Sequence, residues 1–406
     1  MNLSLYYLYP LFFAFFFLKI KNKRENPIYT IIGFIYLAAT VCAALMVPYF
    51  VENTPQNVSP SFVAIGYHTL LLLIILSSFR NIGQYSNQVL EQKNESIIQT
   101  FTGVTIVFSL FGIYDAINNI DINMLMADIQ GLRSKVGKVD ESISMVEHIA
   151  FFARMYRTSA LALFFYYLIY HPQNKGVLII LFLCSLLSVL SGFQYGAREY
   201  LLKYCFCFFM MYLLVKKQLT PESQRRIKRI GLGVAIIFVS IFILISQLRF
   251  GANGASVNTD LIGGTFGYIG QSFVYFPAFF SEFKTGIGGG GMHFPILFHS
   301  SVSSMDLNTQ ISTNLQMNTF GTAVASWMID GGIVMATVLS LLYFYLIKYV
   351  FKQKMTVFTL TYIVWIFEFI FSCLFFYNKV FSSSLVLSYL SIIFFDILYR
   401  SSRSKL

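Results

Sequence analysis

The sequence predicts an all-α, polytopic membrane protein with about eleven transmembrane helices and two long external loops, and three observations predict it. Charged residues make up only 12% of the chain, where a soluble domain carries about 25%. That is too little polar side chain to coat a water-facing globule. The 44 Phe and 26 Tyr need either a core or a lipid-facing surface to cover them. The apolar residues gather in runs close to the roughly 20 residues that cross a bilayer as a helix. A net charge of +11 raises the question of nucleic acid, but the 29 Lys and Arg lie in short clusters between apolar runs. With no single basic face, no nucleic-acid partner is expected.

Read in order, the first run, 3–18, has no basic stretch before it and no small-residue cleavage site after it, so it reads as a span and not a signal peptide. Runs at 28–50, 62–79 and 97–117 follow, and then the first long loop, 118–149. The fifth run, 151–170, opens with Arg154 and Arg157. Runs at 176–192, 200–215 and 231–248 lead to the second long loop, 249–319. The last three, 321–347, 356–377 and 384–399, complete a single transmembrane domain over 1–406. The five cysteines, Cys42, Cys184, Cys205, Cys207 and Cys373, all fall inside apolar runs, so no disulfide and no metal site is expected.

Basic loops stay cytoplasmic. Alternate loops carry nineteen Lys and Arg against seven, and the other three, Arg154, Arg157 and Lys203, lie just inside helices. The N-terminus is therefore expected outside and the C-terminus in the cytoplasm. Both long loops then face outward, and connections of that length are usually functional. The second contains the glycine-rich stretch Gly286 to Gly291, read as a flexible hinge because glycine adopts so many backbone conformations. No Lys-Ser or Lys-Thr follows it, so it is not a phosphate-cradling loop.

Four arginines gather at the outer face, where cations should be scarce: Arg154 and Arg157 at a spacing that shares a helix face, Arg198 at a turn entering the seventh helix, and Arg249 ending the eighth. Each could snorkel to the interface or pair with a carboxylate. Together they suit a diphosphate, since guanidinium holds two phosphate oxygens at once. His293 and His299, both in the second long loop, are candidate bases. Asp330 precedes Gly331 and Gly332, where a break would bring it to the outer interface. Glu199 is a further catalytic candidate that could equally pair with Lys203, and Glu368 is either functional or half of a buried pair. Tyr195, Tyr268, Tyr275 and Trp327 could stack on sugar rings or form an aromatic belt.

These features resemble the Wzy-type oligosaccharide repeat-unit polymerases of O-antigen and capsule synthesis. The carriers are Ser191-Gly192-Phe193-Gln194-Tyr195-Gly196-Ala197-Arg198-Glu199-Tyr200, which looks like the family's Ser-Gly-x-Arg turn, and Leu248-Arg249-Phe250-Gly251 opening the large loop. Asn318-Thr319-Phe320-Gly321 and Asp330-Gly331-Gly332 close it. The resemblance implies a GT-C-like fold related to the O-antigen ligases and a metal-independent, cofactor-free glycosyltransferase of the bacterial inner membrane. Its substrate would be an undecaprenyl-diphosphate-linked oligosaccharide, bound by the four arginines and Tyr195, Tyr268 and Tyr275. His293, His299, Asp330 and Glu199 would supply the catalytic groups. Membrane lipid, a Wzz-type chain-length co-polymerase and a repeat-unit flippase would be its partners. A flippase or transporter for the same lipid-linked sugars is the rival from another class, which predicts charges along a path through the bilayer and an internal repeat. An O-antigen ligase shares the architecture with a different acceptor.

Overall fold

A computed structural model describes residues 3–21, 27–53, 61–120, 149, 152–194, 199–250, 261–291, 293–294, 321–374 and 383–402. The described residues are all-helical, without a strand. A 3-10 turn, Leu3–Tyr7, leads into α1 (Leu8–Lys21). There follow α2 (Pro27–Asn53), α3 (Phe62–Ser77, continued by short turns to Tyr85), α4 (Glu95–Asn118), α5 (Arg157–Tyr170), α6 (Lys175–Ser185), α7 (Leu187–Gln194) and α8 (Glu199–Val215). The rest are α9 (Pro221–Phe250), α10 (Leu261–Glu282), α11 (Ala323–Val350), α12 (Val357–Ser372) and α13 (Ser383–Ser401).

Five of these helical stretches are long and apolar enough to cross a membrane: Pro27–Pro48, Phe62–Tyr85, Glu95–Asn118, Lys175–Phe193 and Ala323–Val350. Ser4–Leu18 and Val357–Ser372 are apolar but shorter. Stripes of exposed apolar side chains run along several helices, including Leu232, Ile236, Val239 and Ile243 on α9 and Val334, Val338, Leu342, Tyr345 and Tyr349 on α11. Spacings of three and four residues put each set on one helix face. Water would disfavour such faces, whereas lipid suits them.

The chain divides into two compact units. Unit 1 comprises 1–85, 258–352 and 369–382, and unit 2 comprises 86–257, 353–368 and 383–406. In unit 1, α2 and α10 form an extensive helix pair, so close that a Cβ on Gly270 would lie 2.4 Å from the backbone nitrogen of Ala43. The segment 249–319, read from sequence as one external loop, thus contains a buried 22-residue helix. Glycines at 263, 264, 267 and 270, with Gln271 and Ser272, dilute its hydropathy and hide it in the sequence. The helix is made for close packing, and Phe273, Phe276 and Phe279 are fully buried along it. Parallel to α3 runs the longer limb of α11: the Tyr67 hydroxyl donates to Ile333 O at 2.9 Å near one end, and Phe79 and Tyr85 pack on Phe351 near the other.

In unit 2, several connections that the sequence places on one membrane side do meet at one end. Met355 donates its N–H to Gln88 Oε1 at 2.9 Å, Gln218 Nε2 donates to Gln88 O at 3.0 Å, and Leu90 donates to Gln218 Oε1 at 2.8 Å. The Tyr170 hydroxyl joins them on Leu90 O, and Asn94 bonds Tyr399 O at 3.0 Å. Four connections and the C-terminal helix are thereby tied together.

Candidate functional site

Helix α11 breaks at Gly331 and Gly332, where Gly332 takes φ 72° and ψ −169°. Such values are open to glycine and strained for any residue with a Cβ. A straight helix would separate Trp327 and Tyr343 by roughly 24 Å along its axis, yet their rings stack with centroids 5.3 Å apart. The short limb 323–330 therefore folds back against the long one. Thr322 caps its start, accepting from the N–H of Ala325, as a helix N-terminus requires.

The glycine-rich stretch is laid onto this break. Ile287 N–H donates to Ile329 O at 2.8 Å, Gly288 N–H to Asp330 O at 2.9 Å, and Ile333 N–H to Lys284 O at 3.0 Å. A Cβ on Gly286 would stand 2.5 Å from Gly332 N, and one on Gly288 would stand 2.1 Å from Asp330 Oδ1. The hinge reading is thereby corrected. These glycines allow close backbone approach and fix the loop in place.

The loop delivers His293 to Asp330. Oδ1 of Asp330 accepts the Gly290 N–H at 3.1 Å, and Oδ2 accepts the His293 N–H at 3.0 Å and His293 Nδ1–H at 2.9 Å. On the other side of the ring, Nε2 lies 3.1 Å from Ser326 Oγ. All three side chains are buried. With Asp330 as a carboxylate, Nδ1 is the donor to Oδ2, and in the neutral ring that tautomer leaves Nε2 as the acceptor for the Ser326 hydroxyl. A hydroxyl donating to an imidazole oriented by a carboxylate is the geometry of general-base activation. One turn earlier, Thr322 Oγ1 contacts His68 Nε2 at 2.7 Å, and His68 Nδ1 meets the Tyr9 hydroxyl at 3.0 Å.

Unit 2 holds a second buried polar group. Arg154 pairs with Asp115 on α4 at 2.7 Å, and Arg157 grips both oxygens of Glu368 on α12 at 2.8 and 3.1 Å. Arg157 also donates to Arg154 O at 2.8 Å. Lys203 pairs with Glu199 at 2.7 Å and stands 5.1 Å over the Tyr200 ring. Three cations face three carboxylates. Arg154 and Arg157, on either side of the turn at 155–156 that leads into α5, reach different carboxylates, one on α4 and one on α12.

The sequence candidates therefore separate. His293 and Asp330 come together, whereas Glu199, Arg154 and Arg157 lie in the other unit as ion pairs. Tyr275 and Trp327 are buried, Trp327 in a stack with Tyr343 and Phe369, so neither offers a free ring face to a sugar. Arg198, Tyr195 and His299 lie outside the described residues, as do the side chains of Arg249 and Tyr268. Sequence reading missed Ser326, Asp115, Thr322 and His68. Ser326 stands four residues before Asp330, one turn away on the same helix face, and that spacing is the signal that could have found it. Asp115 is a lone acid in an apolar run, which is itself a pointer to a buried partner.

No family model matches the chain, and neither a curated protein nor a solved structure shows significant similarity to it.

Proposed function

We propose that the chain is a polytopic membrane glycosyltransferase that polymerises undecaprenyl-diphosphate-linked oligosaccharide repeat units, the activity of the Wzy-type family it resembles. The observation that carries this reading is the Ser326–His293–Asp330 chain of hydrogen bonds. It holds the imidazole with a basic nitrogen aimed at a hydroxyl, as the acceptor sugar requires. In the reaction the acceptor hydroxyl takes the place of the Ser326 hydroxyl on Nε2 and loses its proton to it. Its oxygen bonds the anomeric carbon of the donor glycan, and the bond from that carbon to the diphosphate breaks. Asp330 stabilises the imidazolium so formed.

The leaving diphosphate needs cations preorganised around it. Asp115 and Glu368 already neutralise Arg154 and Arg157, so that role passes to Arg198 and Arg249 in this reading. The full architecture would be about eleven spans on a GT-C-like plan, without metal or cofactor, in a bacterial inner membrane. The N-terminus would lie outside and the C-terminus in the cytoplasm. The clustering of basic connections at one end of unit 2 and the parallel run of α3 and α11 both support that alternation.

Purified protein in lipid, incubated with lipid-linked repeat units, tests the reading. A ladder of glycans from the wild type, and none from His293→Gln at equal protein level, is expected. Transfer of a single glycan to a lipid-core acceptor without a ladder would indicate a ligase. No turnover of either acceptor would overturn the proposal.

A further inference from the structure

The proposed chemistry makes no use of the basic end of unit 2, where two cavities follow one another along the same pair of helices. The first turns of α9 read Pro-Glu-Ser-Gln-Arg-Arg-Ile-Lys-Arg over 221–229. With the start of α6 they line a cleft of about 690 Å³ that displays Lys175, Arg225 and Arg226. Glu222 takes Arg226 at 2.5 Å, and among the described residues no carboxylate pairs with Lys175 or Arg225. Further along, Phe182 of α6 and Leu232 of α9, closed by Tyr204, Phe208 and Tyr212 of α8, line a second cavity of about 420 Å³. Lys228 is its one charged side chain.

The step from Lys175 to Phe182 along α6 is seven residues, or roughly 10 Å, and the step from Arg226 to Leu232 along α9 is roughly 9 Å. A cationic cleft thus leads into an apolar pocket over about the distance from a phospholipid's phosphate to the upper part of its acyl chains. Beside the pocket, the stripe of Leu232, Ile236, Val239 and Ile243 leaves α9 open to lipid.

We propose that this seam is a binding site for a phospholipid with an anionic headgroup. Lys175 and Arg225 hold the phosphate beside the Arg226–Glu222 pair, and one acyl chain enters the pocket lined by Phe182, Phe208 and Leu232. Charge selects the occupant: three cations against one carboxylate disfavour a zwitterionic headgroup, and the Arg225 guanidinium can hold two phosphate oxygens at once. Position selects it too, because the positive-inside rule puts this basic end at the cytoplasmic leaflet, where anionic lipids attract such clusters. A free phosphate would satisfy the cleft and leave the pocket unused. This inference does not rest on the glycosyltransferase reading.

Native mass spectrometry of the full chain, released from detergent with phosphatidylglycerol or phosphatidylcholine added, tests it. Wild-type protein should retain phosphatidylglycerol ten-fold or more over phosphatidylcholine. The combined change Lys175→Gln, Arg225→Gln and Arg226→Gln should remove that preference, since each surface charge contributes a factor of about five. Gly231→Phe should lower retention of both lipids, because a Cβ there meets only Phe208 at 4.0 Å and a larger side chain has room to grow into the pocket. Excess glycerophosphate or inorganic phosphate should leave the bound lipid in place. Three results would each overturn the proposal: equal retention of the two lipids by wild type, a preference that survives the triple change, or complete displacement by the tail-less phosphates. Size-exclusion profiles matching wild type establish that the variants are folded.

Discussion

Units 1 and 2 bury the same kinds of side chain in apolar surroundings and neutralise them in opposite ways. In unit 1 one carboxylate, Asp330, serves two backbone amides and an imidazole, and the imidazole passes the polarity on to a hydroxyl. The contacts run in line from carboxylate through imidazole to hydroxyl. In unit 2, Arg154, Arg157 and Lys203 each close on one carboxylate. Those contacts join opposite charges directly, with no neutral group relaying between them. Buried charge alone therefore does not distinguish the two units; the chaining of the hydrogen bonds does.

The largest expected effect breaks unit 1. His293→Gln keeps the size and polarity of the side chain but removes the proposed base. Loss of a general base costs about a hundred-fold to ten-thousand-fold in rate, so glycan polymerisation should fall at least a hundred-fold while protein level and melting temperature stay close to wild type. Elongation rates on lipid-linked units measure it. Near-normal ladders would make unit 1 the structural network.

Unit 2 should respond in stability first. Removing one member of a buried ion pair strands the other and costs about 3–5 kcal/mol. Arg157→Ala or Glu368→Ala should therefore lower the melting temperature sharply and reduce the amount of protein in the membrane. Arg157→Met with Glu368→Leu removes both charges and should recover most of the stability. If activity returns with it, the pair is structural; recovered stability without activity would place Arg157 in substrate binding.

A smaller effect is expected at the joint between loop and helix. Gly332→Ala forces a Cβ into a left-handed conformation and to within 2.6 Å of Lys284 O, a strain of about 1–3 kcal/mol. The loop carrying His293 should loosen before the unit unfolds. Thermal melts would show a modest shift, and the elongation rate would fall more than the shift alone predicts.

Much of this contrast was legible in the sequence at the level of residues and little of it at the level of contacts. The break at Asp330-Gly331-Gly332 could be read from two adjacent glycines in an overlong apolar run, and the Glu199–Lys203 pair from its spacing of four. The meeting of His293 with Asp330 could not, because 37 residues separate them and only the folded loop closes that gap. Helix α10 escaped because the glycines that let it approach α2 also lower its hydropathy. For Arg154 and Arg157 the sequence left ligand binding and carboxylate pairing both open, and the partners Asp115 and Glu368, 39 and 211 residues away, are visible only in the fold.

The smallest effect sharpens the comparison at Glu199, a residue that sequence reasoning places among the catalytic groups and the structure places beside Lys203. Glu199 is about a quarter exposed, whereas Lys203 is almost wholly buried. Glu199→Gln removes the negative charge yet keeps a side-chain oxygen within reach of Nζ, and the Tyr200 ring remains 5.1 Å from that ammonium. Lys203 keeps an oxygen partner in this variant, so the cost should stay below that of a fully stranded buried charge, about 3–5 kcal/mol, and the melting temperature should drop less than in Arg157→Ala. Polymerisation should stay within a few-fold of wild type, since nothing in the His293 network passes through α8. A catalytic carboxylate at 199 would behave otherwise: the same change would remove a proton acceptor and cost two or more orders of magnitude. Elongation rates for Glu199→Gln beside His293→Gln decide the matter, and a collapse in both would mean that unit 2 contributes directly to the chemistry.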